Sequence, residues 1–166
     1  MPNAQQMDQA REIAADFHNG QTSALYAFAS GSQVTDRDQA RAEIRACERQ
    51  ADPAQRARLD TLRAAIDQQA DAQQRQILAD ILRAPKPEVW SLDHTQPGAL
   101  EADRAHVTAM IERAARELEF PAYAGFVAHL GIHLDRMATA YHAPKAVRKA
   151  LQAHADQELE RINDQD

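Results

Sequence analysis

The sequence predicts an all-α fold, a single-domain bundle of about six to seven helices that includes one long helix over about residues 53–83. Three observations carry this. Apolar residues recur at three- and four-residue spacing along most of the chain. Glycine and proline fall between those stretches, where helices stop and start. No run of alternating apolar and polar residues stands out as a strand, and no internal repeat is visible.

The elements follow in order. A first helix is expected from about Gln6 to His18, with Met7, Ala10, Ile13, Ala14 and Phe17 on one face and Gly20 to stop it. A short helix follows from about Thr22 to Ser30, led in by Gln21 or Thr22 and ended by Gly31. Asp36 caps a third helix to about Gln50, whose apolar stripe is Ala40, Ile44, Cys47 and Ala51. Asp52-Pro53 pairs an N-cap with a proline at the first helical position and starts the long helix. Its ends are amphipathic, with Leu59, Leu62 and Ile66 in one and Ile77, Leu78, Ile81 and Leu82 in the other. Between them, from Asp67 to Gln76, the chain is rich in Asp and Gln; one helix over the whole stretch, about 46 Å long, is favoured over a bend or a break near Gln69 to Gln74.

Residues 84–97 form a proline-rich connection that divides the chain into halves, 1–83 and 98–166, and holds the sole tryptophan, Trp90. With Val89 and Leu92 beside it, Trp90 is expected to pack across the bundle as a buried anchor. Three more helices are expected, from about Ala99 to Glu119, from Pro121 to about His142 and from Pro144 to about Asn163. In the second of these the apolar arc comprises Tyr123, Phe126, Val127, Leu130, Leu134, Met137 and Tyr141.

Composition narrows the function classes. Leu, Ile, Val and Phe make only 29 of the 166 residues, so the core is thin and relies on alanine. A thin core favours burial against a second copy, and a homodimer or a protein partner is expected. The net charge of −6 gives no general attraction to nucleic acid or to an anionic membrane. No stretch approaches the roughly 18 apolar residues that span a bilayer. The N-terminus lacks the pattern of a secretory signal, and the single cysteine, Cys47, rules out an intramolecular disulfide. A cytoplasmic setting is the expectation.

Two clusters carry candidate chemistry. His129 and His133 stand four apart on one helix, a spacing that can supply two ligands to Zn or another divalent metal. Asp103 and His106, three apart on the preceding helix, are the candidates for further ligands. The pair lacks the glutamate of a His-Glu-x-x-His motif, and Arg136 lies on its side of the helix, where it would disfavour a cation. Rim histidines between core and solvent are the preferred reading, with no cofactor. The second cluster is His18, Asn19, Gln21, Ser23 and Tyr26, where free N–H groups at a helix start could hold a small ligand or anion. Capping alone also accounts for its glycine and hydroxyl residues.

Arg37, Arg41, Arg45 and Arg49 form a row at four-residue spacing, interleaved with Asp36, Asp38, Glu43 and Glu48. A solvated, self-paired face explains this better than a nucleic-acid site. Cys47 lies in an apolar stripe and reads as a small core residue. With no catalytic motif present, the leading expectation is a non-catalytic helical interaction or regulatory module that self-associates or docks a partner protein through its long fourth helix and Ala-rich faces. The alternatives are a metal-binding bundle, as enzyme or sensor, and a small-ligand or anion binder at His18–Tyr26.

Overall fold

The computed structural model describes residues 2–83 and 95–165. Among the described residues the chain is all-α: α1 (Ala4–Phe17), α2 (Ala24–Ala29), α3 (Arg37–Glu48), α4 (Pro53–Ile81), α5 (Ala99–Glu117), α6 (Phe120–Ala140) and α7 (Lys145–Asn163). None of these helices is long and apolar enough to cross a membrane. The expected anchor of Trp90 with Val89 and Leu92 falls outside the described residues.

Helix starts follow local side-chain chemistry. Asn3 opens α1 with a capping box, its Oδ1 accepting from the Gln6 N–H at 2.8 Å while its own N–H donates to Gln6 Oε1 at 2.9 Å. Asp36 Oδ1 accepts from the Gln39 N–H at 2.9 Å and caps α3 as expected. Asp52 and Gln55 make the same reciprocal pair at α4, at 2.8 and 3.0 Å. The cap of α2 differs from expectation. It is Ser23, whose Oγ accepts from the Tyr26 N–H at 2.9 Å, and not Gln21 or Thr22.

The helix α4 is continuous over 29 residues, and the chain packs as two compact units divided within it, Met1–Gln73 and Gln74–Asp166. In the first unit Ala10, Ile13 and Ala14 of α1 meet Leu25 and Phe28 of α2, Ile44 of α3, and Leu59, Leu62 and Ile66 of α4. Phe28, Leu25, Ile44, Leu59, Leu62 and Ile66 are fully enclosed, each worth about 1.5–3 kcal/mol of apolar burial. In the second unit the core is Ile81 with Val107, Met110 and Ile111 of α5, Phe126, Leu130, Leu134 and Met137 of α6, and Leu151 and Ala155 of α7. Alanines at Ala10, Ala14, Ala40, Ala114 and Ala155 are completely buried, so a chain poor in large apolar residues still closes two cores.

The polar middle of α4 is bonded in part within each unit. Asp67 takes Arg41 at 2.9 Å, Asp71 takes Arg37 at 2.6 Å, and Gln69 Oε1 accepts from the Val34 N–H at 3.2 Å. The arginine row of α3 is therefore paired in part across to α4, beyond the charges of its own helix. In the second unit Gln74 Oε1 accepts from the Glu119 N–H at 2.7 Å and its Nε2 donates to the Glu117 carbonyl at 3.3 Å. Gln74 thus fastens the turn between α5 and α6.

Candidate functional site

The four metal candidates separate into three and one. Asp103 on α5 is completely buried, at 0% exposure. It sits close enough to raise the proton affinity of His106, although burial pulls that imidazole down more strongly. Across from them on α6, His133 is held below the ordinary imidazole value by burial first, then by the charges His106 and Arg136 would place beside it. Among the described residues the buried His133 Nε2 has no hydrogen-bond partner. Asp103, His106 and His133 therefore share one neighbourhood between α5 and α6, and both imidazoles are biased toward the neutral form.

His129 does not join them. Its ring is exposed, with Nδ1 at 2.8 Å from the Gly125 carbonyl on its own helix. Four residues carry a helical side chain about 40° further round the axis, enough to turn His129 into solvent while His133 stays at the rim. Among the described residues no group of three His, Cys, Asp or Glu side chains is arranged to hold a metal ion.

At the second cluster the backbone donors are already engaged. The Ala24 and Leu25 N–H groups donate to the two carboxylate oxygens of Glu43 at 2.9 and 3.1 Å, and Tyr26 donates to Ser23. These are the groups an anion at the start of α2 would have used. His18 and Tyr26 meet edge to face, with ring centroids 5.3 Å apart, and His18 Nδ1 accepts from the Gly20 N–H at 3.3 Å. Asn19 and Gln21 are exposed beside them, and Ser23 is buried as the cap. Cys47 donates to the Phe17 carbonyl at 3.6 Å, and burial with the nearby carboxylates Glu43 and Glu48 pushes its thiol up. A thiol so placed is a poor nucleophile at neutral pH.

The feature that sequence reasoning missed lies on the outer side of α6. Phe120 is 81% exposed, Ile132 52% and Val127 38%, the large apolar side chains that stand out to solvent among the described residues. Val127, expected in the buried arc, projects outside it. Phe120, expected to precede the helix, is its first residue. Ala124 and Ala128 are exposed as well. Phe120, Ala124, Ala128 and Ile132 therefore form one solvent-facing ridge at four-residue spacing, winding about 40° per step. A signal was present in the sequence, because positions 120–134 contain no Asp, Glu, Lys or Arg. A helix apolar on its outer side as well as its inner side is a helix with a second face to cover.

No protein-family model matches this sequence, and no curated protein or solved structure shows significant similarity to it.

Proposed function

We propose that this chain is a non-catalytic protein–protein interaction module that self-associates through the exposed ridge of α6. The observation that supports this is the ridge Phe120–Ala124–Ala128–Ile132, exposed and uncharged on a chain that is otherwise 27% charged. Its order of sizes is large, small, small, large. Turned end for end, the ridge reads the same, which is what a two-fold contact between identical surfaces requires.

Two such helices crossing antiparallel would bring Ala124 of one copy against Ala128 of the other. The Phe120 of each would then lie against the partner helix near Ile132. The alanines permit close backbone approach at the crossing, and the large side chains cover both ends. Interleaving rows of four-residue spacing is the commonest way helices pack. An apolar surface of this kind on a small protein marks a contact site. The pairing is placed on α6 in preference to the long fourth helix, because several polar residues in the middle of α4 bond within their own unit.

Sedimentation equilibrium of the wild type and of Ala128→Glu tests the reading. The wild type is expected to dimerise reversibly, and the variant to remain monomeric with unchanged helicity, because Ala128 is exposed and a glutamate there disturbs no core. A wild type that stays monomeric at high concentration would overturn it.

A further inference from the structure

A cleft of about 400 Å³ opens between α6 and α7, on residues the self-association reading does not use. Leu134 and Leu151 form its apolar floor, and Lys145, Arg148 and Lys149 line its wall beside Asp135. Arg148 is held in place, donating to Asp135 Oδ1 at 3.0 Å and to Thr139 Oγ1 at 2.7 Å. That pair uses the one carboxylate in the lining. Lys145 and Lys149 are both exposed, and neither forms an ion pair among the described residues.

This placement is unusual for the chain. It carries only three lysines against 16 arginines, with a net charge of −6, yet two of the three lysines stand at this cleft. Lys145 and Lys149 are four apart on one helix, a spacing at which like charges repel. Among the described residues the one carboxylate in the lining is Asp135, which Arg148 already takes, so a negatively charged ligand is what would relieve that repulsion.

We propose that the cleft binds a small organic anion, with a carboxylate or phosphate head set between Lys145 and Lys149 and an apolar body over Leu134 and Leu151. The volume lies near the lower end of the range for small-molecule sites and suits a free small molecule better than a polymer. Arg148, fixed by Asp135 and Thr139, presents its guanidinium as a rigid wall beside the head group.

Octanoate is the probe, followed by calorimetry and by amide shifts along α7, with acetate and inorganic phosphate as head-only controls. One octanoate is expected per chain, bound more tightly than either control and more weakly as salt is raised. Lys145→Gln/Lys149→Gln, both at exposed positions, is expected to weaken octanoate about tenfold and leave the helical content unchanged. Absence of saturable octanoate binding, or equal affinity in the double variant, would overturn the proposal. Capture of the protein by phosphatidylglycerol vesicles with no binding of free octanoate would also overturn it, in favour of a membrane head group.

Discussion

The Glu43 carboxylate on α3 accepts the backbone N–H of Ala24 at 2.9 Å, capping α2 from 19 residues further along the chain. Its second oxygen accepts from Leu25, so one side chain satisfies two helix-start donors while Ser23 satisfies a third. A helix of six residues has little stability of its own. It is held by this carboxylate and by Leu25 and Phe28 in the core.

Replacing Glu43 by Ala should therefore destabilise the protein by about 2 kcal/mol, the cost of leaving two donors without their charged acceptor. Glu43→Gln keeps one acceptor oxygen and should lose about half as much. Urea denaturation measures the loss, and hydrogen exchange at Ala24 and Leu25 localises it. Unchanged protection of those two amides in Glu43→Ala would show that the cap contributes nothing.

Two helices end in the same motif with different residues at its critical position. After α2, Gly31 donates to the Phe28 carbonyl at 3.1 Å and Ser32 to the Ala27 carbonyl at 3.0 Å, with Gly31 at φ 93°. After α6, His142 donates to the Thr139 carbonyl at 3.1 Å and Ala143 to the Ala138 carbonyl at 2.8 Å, with His142 at φ 54°. Both are Schellman closures, and the left-handed residue at their centre is ordinarily glycine. A side chain there costs about 1 kcal/mol. His142→Gly should stabilise the protein by about 1 kcal/mol and Gly31→Ala should destabilise it by a similar amount. Thermal or urea melts read both, and a destabilised His142→Gly would show that the imidazole makes a contact worth more than the strain.

The fold was legible where its causes are local. Asp36, Asp52-Pro53, Gly31 and the apolar spacing of α5 act within one or two helical turns, and a single sequence displays them. The cap at Ser23 was misplaced by one or two positions because two hydroxyls and a glutamine adjoin each other there, and the deciding partner, Glu43, lies on another helix. The arginine row reads in the sequence as a solvated face paired along its own helix, and the Asp- and Gln-rich middle of α4 as part of a docking helix. They partly answer one another through Arg37, Arg41, Asp67 and Asp71, a match between segments some 30 residues apart that no periodicity encodes. Of the metal candidates, the approach of Asp103, His106 and His133 depends on how α5 lies against α6. The exclusion of His129 depends on a 40° turn that helical projection alone gives only roughly.

That same neighbourhood makes the protein sensitive to mild acid. His106 and His133 both have proton affinities below the ordinary imidazole value of 6.5, each chiefly because burial penalises the charged ring. Asp103 opposes the shift at His106, while His106 and Arg136 add to it at His133. In the unfolded chain both rings recover their ordinary affinity, so between the two values the unfolded state binds more protons than the folded one. Stability then rises with pH. It is fully present above about pH 7 and falls as the pH drops below 6.5, levelling off only beneath the depressed folded values. Two carboxylates enter lower down. Glu117, hydrogen-bonded to Arg113, and Glu158, hydrogen-bonded to Arg161, are held below their ordinary 4.5, so what they contribute is lost only as the pH falls beneath that value. The interval from about 6.5 to 4.5 lies above the range in which Glu117 and Glu158 contribute, and there the two histidines pull stability down toward acid. Urea midpoints measured across it should decline toward acid in the wild type, and His106→Gln/His133→Gln, which cannot take the protons, should give a flatter profile whatever its starting stability. An equal decline in the double variant would place the acid sensitivity elsewhere in the molecule.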